Sequence, residues 1–197
     1  MSLFVKVCGV TDIETAITAA DAGADAVGFV FATSPRQISP RAAVSISAEL
    51  PPRVLRVAVF RAPSEQEVEA VLEHFTPDLV QADHQSLGEL EGVDRLPVYH
   101  SGTGEAPEGG LFLYEGPVSG AGQMVDLEMA AGIARLGDMV LAGGLRPDNV
   151  GVAIHQVKPY GVDVSSGVES SPGEKDPSLI RSFVAAARAA EERLVNA

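Results

Sequence analysis

The feature that most constrains the fold is a repetition: short apolar runs alternate with helical patterns along the whole chain. Such alternation is the signature of βα units around a parallel sheet, whose strands are buried on both faces and need a crossover between them. In the first unit LFVKVCG reads as a strand, Thr11 or Asp12 caps a helix through IETAITAADAG, and Gly23 ends it. DAVGFVF at 25–31 is the second strand, and SPRQISP leads into a helix near 40–50. RVLRVAVF at 53–60 is the third, followed by a helix opening at Ser64 with Glu67 in capping-box spacing, and DLVQ at 78–81 is a short fourth. The middle is thinner. LGELEG allows barely two helical turns before LPVYHS, and GTGEAPEGG at 102–110 excludes a regular helix, so the fifth unit is expected to have a shortened or missing one. Then follow GLFLYEG at 110–116, a helix from about Asp126 to Leu136, DMVLAGG at 138–144, and a helix opening at Arg146-Pro147. GVDVSSG at 161–167 and a long final helix complete the series. In that helix Ile180, Phe183, Val184, Ala187 and Leu194 fall on roughly one face.

Eight strands and about seven helices predict an α/β chain folded as a (β/α)8 TIM barrel, a single domain over residues 1–197. The second choice is an open doubly wound sheet. With 46% hydrophobic residues, 5% aromatics and no Trp, the core must be built from Val, Ala, Leu and Ile, which suits buried parallel strands.

Charge and cysteine content narrow the function. A formal net charge of −13 without a clustered basic patch argues against a nucleic-acid partner, and a small anionic substrate would have to be held by local devices such as glycine-rich backbone and single arginines. No run of about 18 apolar residues and no basic-then-apolar leader occurs, so no membrane association and a cytoplasmic location are expected. A single cysteine excludes an internal disulfide. His74, His84, His100 and His155 lack ligand spacing, so no metal site is expected and most should be surface residues. No G-x-G-x-x-G follows the first strand, which argues against a dinucleotide cofactor.

A barrel of this kind works at the C-terminal ends of its strands. Residues there include Cys8, Arg36, Gln81, Asp83, His100, Glu115 and Asp163. Two segments suit phosphate: AGGLRPDN, with Gly143 and Gly144 between strand and helix, and DVSSG, with Ser165, Ser166 and Gly167, fall in the seventh and eighth units where barrels commonly bind it. Alternation puts Lys6 and Cys8 on one face of strand one, and closure brings Asp163 and Ser165 alongside. Lys6 and Asp163 then pair beneath Cys8. They form either a buried ion pair and nothing more, or a support whose ammonium, with nearby helix N-termini, favours the thiolate.

KVCGVTD, GADAVGFVFATSPRQISP, LAGGLRPDNV and GVDVSSGVESSPGEKD, spread from residue 5 to about residue 183, resemble the phosphoribosylanthranilate isomerase family. That resemblance implies a cofactor-free Amadori rearrangement in tryptophan biosynthesis, converting N-(5-phosphoribosyl)anthranilate into its 1-deoxyribulose 5-phosphate isomer. It implies Cys8 as the base and, in place of the family's strand-six aspartate, Glu115 as the acid, with Asp83 and Asp126 as rivals. It gives Arg36 the anthranilate carboxylate, places Gln81 and Asp83 against substrate, and leaves Lys6 and Asp163 as supports. The chain departs from the family with VQADH where V-Q-L-H-G is usual and SGAGQ where G-G-x-G-K is usual. Two alternatives stand beside this reading: a bifunctional isomerase also serving histidine biosynthesis, and a barrel that binds a phosphoribosyl ligand without turning it over. The partner expected in each case is a small phosphorylated molecule.

Overall fold

The computed structural model describes residues 2–88, 92–105, 107–118 and 122–195. Eight parallel strands close into a barrel in sequential order. Strands β1 (Phe4–Cys8), β2 (Ala26–Val30) and β3 (Leu55–Val59) alternate with helices α1 (Ile13–Ala22), α2 (Pro40–Ser47) and α3 (Glu65–Leu72). Each helix starts where a short polar side chain can replace the missing backbone acceptor. Asp12 accepts from Thr15 N, Ser39 accepts from Ala42 N with Pro40 in the first turn, and Ser64 forms a reciprocal capping box with Glu67. Gly23 closes α1 at φ 98°, a left-handed conformation that glycine adopts without strain.

After β4 (Leu79–Asp83) the regular alternation lapses. A single 3-10 turn, His84–Ser86, precedes β5 (Asp94–His100), and no α-helix occurs among the described residues between β5 and β6 (Leu111–Glu115). The abbreviation therefore extends over the fourth unit as well as the fifth. Within LGELEG, residues 89–91 lie outside the described residues, as does residue 106 of GTGEAPEGG. Alternation resumes with α4 (Leu127–Ile133), capped by Asp126, then β7 (Asp138–Leu141), α5 (Val150–Val157) and β8 (Gly161–Val164). The helix expected to open at Arg146-Pro147 begins instead at Val150. Asn149 Oδ1 accepts from Arg146 N at 2.7 Å and its Nδ2 donates to Gly144 O at 2.9 Å, so the preceding residues are held as a turn. A small antiparallel hairpin absent from the sequence reading, β9 (Glu169–Ser171) and β10 (Glu174–Lys175), precedes the long α6 (Pro177–Val195).

The core has two compartments. Outward-facing strand residues such as Val5, Val7 and Phe29 pack under the helices with Ile180, Phe183, Val184 and Ala187 of α6, all fully buried. Inward-facing residues fill the barrel in two smaller clusters, one with Val57 and Leu79, the other with Leu96 and Leu113. At the base, Arg188 of α6 donates to Gly23 O, to Leu3 O and to Asp25 Oδ2, tying the last helix to the first βα unit.

Candidate active site

The C-terminal ends of the strands surround a cavity of about 640 Å³. Cys8, Arg36, Gln81, Asp83, Glu115, Asp163 and both glycine segments line it, whereas Lys6, His100 and Asp126 do not. The convergence follows from polarity: in a parallel barrel all strands end at the same rim.

Cys8 ends β1 with its side chain inside the barrel, 6% exposed. Gly28, its partner on β2, makes room: a Cβ there would stand 2.9 Å from the Cys8 sulfur. Below, Lys6 and Asp163 face each other in register across β1 and β8, and Lys6 Nζ donates to Asp163 Oδ1 at 2.8 Å. Lys6 is fully buried; burial opposes its charge, but Asp163 and Cys8 outweigh that and hold the ammonium above its ordinary pKa. The Lys6 ammonium does favour the Cys8 thiolate, but it does not decide the balance. Burial pushes the thiol up, and Asp163 adds to it, more than Lys6 and Lys175 pull it down.

Arg36 sits on the loop after β2, and its guanidinium is already forked. Nε donates to Glu169 Oε1 at 2.6 Å and Nη2 to Glu169 Oε2 at 2.9 Å. Glu169 Oε1 also accepts from Lys175 Nζ at 2.6 Å, and Lys175 donates further to Ser165 O at 3.0 Å. The Glu169 and Lys175 side chains are 4% and 0% exposed. Burial works against the Glu169 charge, yet the two cations hold its carboxyl below the usual range. Lys175 is pushed down by burial despite Glu169. The hairpin carrying this pair packs on the Arg36 loop, where a Cβ on Gly173 would approach Pro35 O to 2.6 Å. The fork engages Nε and Nη2 of Arg36 and not Nη1. Sequence reading missed Glu169 and Lys175; the only signal was their place in GVESSPGEKD, beside the phosphate segment.

On the opposite wall Asp83 ends β4 and Glu115 ends β6, and His100 of β5 lies between them. His100 Nε2 is 2.9 Å from Asp83 Oδ1, and its Nδ1 is 3.8 Å from Glu115 Oε1. Of the four histidines, expected mostly at the surface, His74 and His155 are exposed and His100 and His84 only partly so. His100 is 17% exposed at its side chain, and His84 stacks on Tyr99 with ring centroids 4.3 Å apart. Gln81 lines the cavity and is buried, and its Oε1 lacks a hydrogen-bond partner among the described residues.

The glycine segments form the remaining wall. Gly143 and Gly144 have φ of 87° and 64°, and a Cβ on Gly144 would stand 2.6 Å from Met124 N. On Gly167 a Cβ would collide with the Leu145 carbonyl. Ser166 opens a 3-10 turn that runs to Val168. Both loops thus bring bare backbone and two hydroxyls to one side of the cavity, the chemistry a phosphate dianion accepts. Residues 119–121 of SGAGQ lie outside the described residues; Gly122 and Gln123 are at the rim. Among the described residues no group of three or more His, Cys, Asp or Glu is placed to hold a metal, and no helix is long and apolar enough to cross a membrane.

Comparison with known proteins points the same way. The family model of N-(5'phosphoribosyl)anthranilate (PRA) isomerase matches residues 5–186. Proteins called N-(5'-phosphoribosyl)anthranilate isomerase are 41% identical in Rubrobacter xylanophilus and 42% in Geobacter sp. strain M21, covering 93% of this chain and 98% and 97% of theirs. A crystal structure of phosphoribosyl anthranilate isomerase with reduced 1-(o-carboxyphenylamino)-1-deoxyribulose 5-phosphate superposes with TM-score 0.79 at 33% identity, over 95% of this chain and 100% of that one. The Thermus thermophilus enzyme superposes with TM-score 0.83 at 29% identity, over 95% and 99%. The chain belongs to the phosphoribosylanthranilate isomerase family.

Proposed function

We propose that this chain converts N-(5'-phosphoribosyl)anthranilate into 1-(2-carboxyphenylamino)-1-deoxyribulose 5-phosphate by acid/base chemistry, without a cofactor. The observation that carries the reading is that one cavity joins a buried thiol, a carboxyl on another strand, a carboxylate-binding arginine and a glycine-rich wall. Gly143, Gly144, Ser165, Ser166 and Gly167 take the phosphate. Nη1 of Arg36 takes the anthranilate carboxylate, and Gln81 and Asp83 line the path between.

With the substrate anchored at both ends, Glu115 protonates the ribose ring oxygen. The C1–O bond breaks as the nitrogen lone pair forms a C1–N double bond, leaving an iminium. The Cys8 thiolate then removes the C2 proton, and the released electrons move into a C1–C2 double bond while nitrogen becomes neutral. The resulting enolamine rearranges to the ketone. Burial makes the thiolate scarce at rest and strongly basic when formed, while Lys6 and Lys175 stabilise it against Asp163.

The test is an assay of the purified protein with freshly generated phosphoribosylanthranilate, following loss of substrate fluorescence. Turnover abolished by Glu115→Gln but not by Asp126→Asn, whose aspartate caps α4, supports the assignment. Binding of the reduced product analogue without turnover would instead identify a non-catalytic barrel. A near-normal Glu115→Gln beside an inactive Asp83→Asn would move the acid to β4.

A further inference from the structure

His100 ends β5, in register with Glu115 on β6, while Asp83 ends the neighbouring strand on the other side. Its Nε2 lies 2.9 Å from Asp83 Oδ1 and its Nδ1 3.1 Å from Gly116 O. A carbonyl oxygen and a carboxylate oxygen can only accept, so both ring nitrogens must donate, which only the imidazolium does. The ionisable groups that bear on the ring are Asp83 from β4 and Glu115 from β6. Burial opposes the charge, but the Asp83 and Gly116 hydrogen bonds and the Asp83 carboxylate outweigh it and raise the His100 pKa, with Glu115 adding to them while it is ionised. Asp83 and Glu115 face the cavity, and His100 links them from behind.

We propose that His100 is a positioning residue for the acid step: a cation fixed by Asp83 and the Gly116 carbonyl that stabilises the carboxylate Glu115 becomes on giving up its proton. The inference rests on the reading of Glu115 as the acid. In that step the Glu115 O–H bond breaks and an O–H bond forms at the sugar ring oxygen; the proton on His100 Nδ1 stays in place, 3.8 Å from Glu115 Oε1. In the reacting complex Glu115 must enter the step protonated, so the charge that His100 stabilises develops as the proton leaves, and the stabilisation acts on the transition state more than on bound substrate.

The sign of the pH dependence follows. The imidazolium is present below the raised pKa of His100 and lost above it, so kcat falls as pH rises through that value. The experiment measures kcat and KM against pH for the native chain, His100→Gln, Asp83→Asn and the double variant, with thermal melts to establish folding. His100→Gln should lose at least about tenfold in kcat with KM within about twofold. Asp83→Asn removes the group that raises the His100 pKa, so its alkaline limb should move to lower pH; in the double variant Asp83→Asn should move nothing. A native-like kcat for His100→Gln, or an alkaline limb unmoved by Asp83→Asn, overturns the proposal. So does a limb that still moves when His100 is gone. Should His100→Gln not fold, the limb of Asp83→Asn alone decides. An inactive Glu115→Gln beside a native-like His100→Gln removes this inference and leaves the acid assignment standing, whereas a native-like Glu115→Gln removes both.

Discussion

Replacing Glu169 by glutamine tests the electrostatics of the site in one step. The carboxylate accepts from Arg36 at 2.6 and 2.9 Å and from Lys175 at 2.6 Å, and the Lys175 side chain has no exposure to water. Glutamine keeps the volume and one acceptor but withdraws the negative charge, leaving a buried ammonium beside a guanidinium with only neutral oxygens, the amide's and those of Ser165, to face. Removing one partner of a buried pair costs about 3–5 kcal/mol. With an unfolding entropy of roughly 2.1 cal/mol/K per residue, a chain of 197 residues has about 0.4 kcal/mol/K, so the lower figure is a Tm loss of about 7 °C. Glu169 has its pKa lowered by folding, so its contribution is complete above the ordinary carboxylate pKa and is lost as pH falls through the folded value. The gap between the melting temperatures of both proteins should therefore narrow as pH falls from 7 to 3. KM for substrate should rise as well, because this fork aims Nη1 of Arg36. Equal Tm at pH 7, or a gap that persists unchanged to pH 3, would refute the reasoning.

Three further outcomes are expected. Cys8→Ser should fold and bind the reduced product analogue yet lose at least about 10²-fold in kcat, because a hydroxyl is too weakly acidic to supply the base; retention of a tenth of native turnover would exclude the role. Arg36→Ala should raise KM for substrate about tenfold or more while leaving inhibition by ribose 5-phosphate, which lacks the anthranilate, nearly unchanged; equal losses for both ligands would place the two ends of the substrate wrongly. Gly28→Ala should destabilise by about 1–3 kcal/mol and depress turnover, since the new Cβ would lie 2.9 Å from the Cys8 sulfur and 3.2 Å from Val59 Cγ2; a denaturant midpoint equal to the native one would show that the barrel relaxes around it.

Local chemistry was legible in the sequence wherever a single short-range rule decides the outcome. Asp12, Ser64 with Glu67 and Asp126 cap helices because their side chains reach backbone amides two or three residues on. The pairing of Lys6 with Asp163 could be read from strand alternation and closure, although 157 positions separate them. What alternation cannot give is depth: it puts Cys8 on the inner face without saying how much water that face has lost, and that loss decides its protonation. Nor can it give partners chosen between loops. Arg36 and Glu169 meet across 133 positions because the β9–β10 hairpin folds over the rim, and nothing in either segment alone announces the other. The start of α5 was misplaced for a related reason: Asn149 turns its side chain back onto Gly144 and Arg146, and that competition with the helix depends on the loop it closes.

Closure of β1 against β8 also sets an order of events. During synthesis β1 emerges first and its outer edge waits, since its hydrogen-bond partner on that side is the last strand of the barrel and Arg188, which clasps Gly23 and Asp25, comes later still. Until β8 is made, FVKVC has no strand to pair with on that side, and an unpaired apolar edge is suited to pairing with other chains. Ribosome stalling before residue 161 should therefore trap a form that chaperones bind and proteases cut.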